Sequence, residues 1–197
     1  QTTSPTIYKI RVEGPLTPAL VGFIERGINT AELNESRLLI IELNTPGGSI
    51  DLMNTIIQNI RSSDVPIVVY VAPRGAIAGS AGTLITLSGH IAAMAPETAI
   101  GAASPVGGQG EDLGETIEAK QKEILKASIR SLASDRGQEA INLAEDTIEN
   151  ARAVSSDEAL DVGLIDFIAS DTNDLISQIN GQTVELATRS TTLQLDN

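Results

Sequence analysis

Ser80 lies in the stretch from Gly75 to Gly82, Gly-Ala-Ile-Ala-Gly-Ser-Ala-Gly, among residues too small to shield its hydroxyl. Val65–Val71 before it reads as a buried strand and Thr83–Leu87 after it as helix. A strand, a small-residue turn, a serine and a helix is the order in which many hydrolases present a nucleophile at a helix N-terminus, where backbone amides can stabilise an oxyanion. The local pattern is one residue short of Gly-x-Ser-x-Gly, because Ala78 occupies the first glycine position. The competing interpretation is a serine that merely caps the helix.

A serine hydroxyl needs a base. The single imidazole, His90, follows ten residues later at the start of an apolar strand, a place that suits a structural histidine better than a general base. Lysine is the alternative, since burial in apolar surroundings favours the neutral amine. The chain has four lysines: Lys9 in the first strand, and Lys120, Lys122 and Lys126 on one later helix. Projected on that helix, Lys126 points away from the apolar stripe. Lys120 and Lys122 both flank it, so periodicity does not choose between them. A second glycine turn, Thr45-Pro46-Gly47-Gly48-Ser49, joins a buried strand to a helix and could offer amides to an anion. It lacks the spacing of a dinucleotide or phosphate loop.

The elements that must position these groups follow from periodicity. Ile7–Val12 alternates as a strand with one buried face, and Thr17-Pro18 opens an amphipathic helix. Leu38–Leu43 is apolar on both faces except for Glu42, as in a covered parallel sheet, and Ile50–Ile60 is a second helix. This β-α-β-α-β order without hairpin signals predicts an α/β fold with a mainly parallel sheet. Short strands are expected at Ile91–Met94 and Thr98–Ile100, then an acidic, glycine-rich loop over Ala102–Gly114. Helices are predicted over Ile117–Leu132, Gln138–Ile148 and from Ser155, whose Ser-Ser-Asp-Glu start is a capping signature closed by Gly163. Leu164–Ile168, Asp174–Ile179 and Gln182–Leu186 complete the pattern as strand, helix and edge strand. The organisation expected is an N-terminal extension over 1–6, one domain over 7–188 and a polar tail over 189–197.

Composition narrows the functional classes. Thirteen basic residues against 26 acidic ones give a net charge of −13, and aromatic residues make up only 2%. Binding to nucleic acid or to an anionic lipid surface is therefore disfavoured. The absence of Cys and the single His exclude thiol catalysis, disulfides and the usual zinc sites, although not oxygen-ligand metals; no cofactor or metal is expected. Gln1 in place of Met points to a removed signal peptide or a segment of a longer chain. Gly75–Pro96 is apolar but too rich in Ser, Thr and Gly for a membrane helix.

Three stretches carry a resemblance: Ile40 to Gly48 (Ile-Ile-Glu-Leu-Asn-Thr-Pro-Gly-Gly), Ala78 to Thr83 (Ala-Gly-Ser-Ala-Gly-Thr) and Ala93 to Ala102 (Ala-Met-Ala-Pro-Glu-Thr-Ala-Ile-Gly-Ala). In this order they resemble the Clp-protease-like serine proteases, most closely the N-terminal protease domain of NfeD-type membrane proteins, partners of stomatin-like proteins. The resemblance extends from about Ile7 to Asp171. It implies a Clp/crotonase-like spiral of β-β-α units and a Ser–Lys dyad, with Ser80 as nucleophile and Lys120 as base, the register taken from Ile129 to Ala133 (Ile-Arg-Ser-Leu-Ala). It further implies oxyanion donors at the Gly48 and Ala81 amides, with Gly47 and Gly79 lining the substrate.

On this resemblance the activity is cleavage of hydrophobic peptide segments, such as the C-terminal region of a stomatin-like partner. The Ala102–Gly114 loop would act as a lid, the assembly would be a homodimer or larger, and the full-length protein would be membrane-associated on the extracytoplasmic side. Two rivals use the same fold: a crotonase-type acyl-CoA enzyme, which has no need of Ser80, and a non-catalytic assembly module for a membrane partner.

Overall fold

The structure, a computed structural model, describes residues 6–107, 111 and 113–195. Five strands form a fully parallel sheet in the order β1-β2-β3-β5-β8: β1 Ile7–Glu13, β2 Leu38–Asn44, β3 Ile67–Val71, β5 Ile91–Met94 and β8 Phe167–Ile168. The alternation of side chains along each strand divides the core in two. Leu39, Ile41, Leu43, Val69, Val71 and Met94 face one apolar cluster; Leu38, Ile40, Val68, Tyr70 and Ala93 face the other.

Helices α1 (Pro18–Leu33) and α2 (Ile50–Arg61) cover the first face with their buried stripes, Val21, Ile24 and Ile28 from one and Met53, Ile56 and Ile60 from the other. Their starts are fixed by side-chain caps: Thr17 accepts from the Leu20 amide at 3.2 Å and Ser49 from Leu52 at 3.4 Å. Helices α3 (Ala81–Ser88), α4 (Glu115–Leu132) and α5 (Gln138–Glu149) add to the same cluster. The expected α/β architecture with a mainly parallel sheet is the one that forms.

A second sheet was not anticipated. Strands β4 (Ile77–Gly79), β6 (Ala99–Gly101) and β7 (Ala153–Ser155) join with β6 central, parallel to β4 and antiparallel to β7. β6 lies within one residue of the strand expected at Thr98–Ile100, whereas β4 and β7, three residues each, are too short for periodicity to register. The Ser155 helix start forms as expected, with a complete capping box to Glu158 opening α6 (Ser156–Asp161).

The expected polar tail over 189–197 is corrected over its described part. Strand β9 (Thr183–Glu185) pairs antiparallel with β10 (Ser190–Thr192), and Leu193 and Leu195 are buried. With α7 (Thr172–Ile179), this hairpin covers the second face of the parallel sheet. The two leucines sit two residues apart among polar neighbours, the alternation of a strand with one covered face. Of the expected N-terminal extension, residues 1–5 lie outside the described residues, as do 108–110 and Asp112 in the expected lid.

His90 is structural. Its Nδ1 accepts the Ile67 amide at 3.0 Å while its own amide donates to the Ile67 carbonyl at 2.9 Å. Burial pushes the imidazole pKa from its usual 6.5 down to about 4, with the Arg61 charge acting in the same direction. Protonation would place an N–H against the Ile67 N–H. Since the unfolded chain takes up this proton more readily, the contribution is fully present above pH ~6.5 and is lost as pH falls toward ~4, a total of about 3 kcal/mol. His90→Asn, whose carbonyl can accept the same amide, should flatten this part of the stability profile. Denaturant midpoints at pH 7 and 5 check it; an unchanged slope would contradict it.

Candidate active site

Ser80 follows β4 directly and stands at the N-cap of α3, yet it does not cap. Its backbone lies at φ 51°, ψ −120°, and its side chain makes no capping bond. The capping serines and threonine of α1, α2 and α6 all have extended backbones instead. A non-glycine residue held at such a positive φ is strained by about 1–3 kcal/mol and persists only where the surroundings impose it. They do so here: the Ser80 amide donates to the Gly101 carbonyl at 2.8 Å, and the Ser80 carbonyl accepts from the Thr83 amide at 2.9 Å. The hydroxyl is left half-buried with no hydrogen bond to any described residue. Simple helix capping therefore does not account for this serine.

The Thr45–Ser49 loop is fastened against this turn. Thr45 forms a parallel bridge with Ala78, its amide donating to Ile77 O at 2.8 Å and its carbonyl accepting from Gly79 N at 2.9 Å. Asn44 Oδ1 accepts the Ile77 amide at 3.1 Å. Gly47 sits at φ 111°, and a side chain on it would begin 2.8 Å from Ser80 Cβ and 3.3 Å from Ala81 N. Gly48 is held close to Leu16, whose Cβ would lie 2.5 Å from any side chain placed there.

Four of the expected site residues thus meet around Ser80: Gly47, Gly48, Gly79 and Ala81. Among the described residues no hydrogen bond uses the amides of Gly48 or Ala81. The Gly47 and Gly79 amides are already committed, to Thr45 Oγ1 at 3.1 Å and to Thr45 O. What these two glycines provide is room, not donors.

The lysines are placed differently from the helical projection. Of the expected stripe on α4, Leu125 and Ile129 are buried but Ile117 and Ile124 are exposed. The packed face is therefore rotated toward Glu118 and Lys122, and Lys120 projects roughly half a turn away from it, into solvent. Lys122 donates to Glu118 at 2.9 Å and to the Glu149 carbonyl at 3.0 Å, and the Glu118 bond raises its pKa. Lys126 is bound to Glu149 at 3.0 Å and to Glu123 at 3.4 Å, and the Glu149 bond raises its pKa. Lys9 pairs with Glu42 at 3.4 Å. Among the described residues, Lys120 is the lysine without an ion pair or hydrogen bond.

Two residues of the site escaped sequence reasoning. Thr83 and Gly101 hold the Ser80 turn, and the only local hint was a threonine inside an apolar helix. Cavities of about 700, 560 and 290 Å³ open elsewhere and are lined by none of Ser80, Gly47, Gly48, Ala81 or Lys120. Among the described residues no helix is long and apolar enough to cross a membrane.

Residues 6–189 match the family model for the NfeD1b N-terminal domain. The chain is 39% identical over 182 residues to the membrane-bound protease PH1510 of Pyrococcus horikoshii, covering 91% of this chain and 41% of that protein. It spans about two fifths of the length of the curated relatives it matches first. Among solved structures it superposes with a TM-score of 0.90, at 35% identity over 98% of this chain and 90% of the other, on a lysine-to-alanine mutant of the 1510-N membrane-bound stomatin-specific protease in complex with a substrate peptide. A serine-to-alanine mutant of the same protease gives 0.90 at 34% identity, covering 99% and 95%. ClpP1 from Listeria monocytogenes, at 18% identity and a TM-score of 0.67 over 85% and 94%, shares the Clp-like fold.

Proposed function

Because the chain belongs to the NfeD1b N-terminal domain family, we propose that it is a serine endopeptidase working through a Ser80–Lys120 dyad. The observation that carries this reading is a serine at a helix N-cap that does not cap, strained in backbone and unbonded in side chain, beside two uncommitted amides. That a serine and a lysine are the residues replaced in the solved relatives, one of them holding substrate peptide, supports it.

In this reading the neutral Lys120 amine takes the Ser80 Oγ proton as Oγ attacks the peptide carbonyl. The oxyanion is received by the Gly48 and Ala81 amides at the start of α3. The lysine then returns the proton to the leaving amine, and water releases the acyl-enzyme. Lys120 suits the role better than Lys122, whose ammonium is bonded on two sides. Lys120 stands on α4 between Ile117 and Ile124, two exposed apolar residues. This fits hydrophobic peptide segments, such as the C-terminal region of a stomatin-like partner. The same reading places the full-length protein at the membrane, with this domain on the extracytoplasmic side, as a homodimer or larger assembly.

Turnover of an apolar peptide tests the assignment. Lys120→Ala should lower kcat by about 10²-fold or more, as loss of a general base does, while Lys122→Ala keeps most of it. Full activity in Lys120→Ala would remove the dyad.

A further inference from the structure

We propose that Thr83 is a positioning residue for Ser80, acting through the Gly101 peptide; this rests on Ser80 being the nucleophile. Thr83 is completely buried in the first turn of α3. Its hydroxyl accepts the Gly101 amide at 2.8 Å and places its single proton between the carbonyls of Ala78, at 3.1 Å, and Gly101, at 3.2 Å. The Thr83 amide donates to Ser80 O, and Ser80 N donates to Gly101 O. Ser80, Thr83 and Gly101 thus close a ring of hydrogen bonds. Within it both backbone groups of the nucleophile have a fixed partner and only the hydroxyl is left over.

Three other buried hydroxyls on helices make only local bonds. Thr86 bonds Gly82 O at 2.8 Å, Ser88 bonds Ile85 O at 2.7 Å and Thr147 bonds Ala144 O at 2.7 Å, each within its own helix. Those bonds are local and hold no second element. The Thr83 bonds reach 18 residues along the chain into β6, the strand from which the segment leading to α4 departs. The strained φ and ψ of Ser80 need such an external hold, since a free residue would relax out of them. The same hold fixes the Ala81 amide, the next group along the turn.

The test is the rate at which a fluorophosphonate labels Ser80, together with peptide kcat and KM. A merely structural threonine would lower the melting temperature and the fraction of chains that label; a positioning one lowers the rate constant per labelled site. Thr83→Val should reduce the labelling rate constant and kcat by about 10- to 100-fold with KM little changed, the range expected from a displacement near 1 Å. Thr83→Ser should restore both to within about threefold, a discrimination of under 1 kcal/mol. Thr86→Val, which removes a comparable buried hydroxyl, should lose stability and keep the rate constant. If the valine variant does not accumulate folded, Thr83→Ala reads the same rate constant. Labelling of the folded Thr83 variant at the parent rate would overturn the positioning role alone. A parent chain that labels nowhere would instead overturn the nucleophile assignment beneath it.

Discussion

Ser80→Gly is expected to abolish peptide turnover and at the same time make the protein more stable. Removing the proposed nucleophile should cost about 10⁴-fold or more in kcat, since a seryl nucleophile has no substitute at its position. Glycine, unlike serine or alanine, occupies φ 51°, ψ −120° without steric penalty. The relief of strain exceeds the added flexibility of the unfolded chain by about 1 kcal/mol, or ~2–4 °C in melting temperature for a domain of this size. Ser80→Ala should be equally inactive without that gain. Two measurements decide the matter: residual turnover, and the difference in melting temperature between the two variants. A glycine variant no more stable than the alanine one would mean that the turn is not strained.

Gly101→Ala should be the most damaging single methyl addition near the site. Gly101 sits at φ 113°, and a Cβ there would lie 2.2 Å from the Arg152 carbonyl oxygen and 3.0 Å from Ala153 Cα. Both neighbours are backbone, so neither can swing aside as a side chain would. The positive φ adds its own penalty. We expect a loss of about 4 kcal/mol or more, in the range reserved for a named steric fault. In chains that still fold, β6 and β7 must separate, drawing the Gly101 carbonyl from the Ser80 amide, so activity should fall further than stability explains. Urea midpoints combined with turnover per folded molecule check this. A variant within 1 kcal/mol of the parent would show that β6 yields freely and is not what holds Ser80.

These expectations connect what is local in the chain to what is not. The parallel sheet was legible because its strands are nearly continuous apolar runs, as in Leu38–Leu43 with Glu42 the one exception, and the helices because Met53, Ile56 and Ile60 recur at helical spacing. Caps at Thr17 and Ser155 were legible because a cap and its partner lie within one turn. The stretch around Ser80 was conspicuous for small residues, and the glycines at 47 and 48 for their place between strand and helix.

What the amino-acid order determined by itself is therefore the main helices, the parallel sheet and the small-residue turn that exposes one hydroxyl, since each is written in neighbours a few residues apart. Only the tertiary structure decided that Thr45 bridges to Ala78, that Ser80 is clamped by Gly101 and Thr83, that Lys120 lies on the solvent side of α4, and that Leu193 and Leu195 close the second face of the sheet. Those outcomes depend on pairings across tens of residues. There a three-residue strand or the rotation of one helix about its axis is fixed by packing against partners that local periodicity does not name.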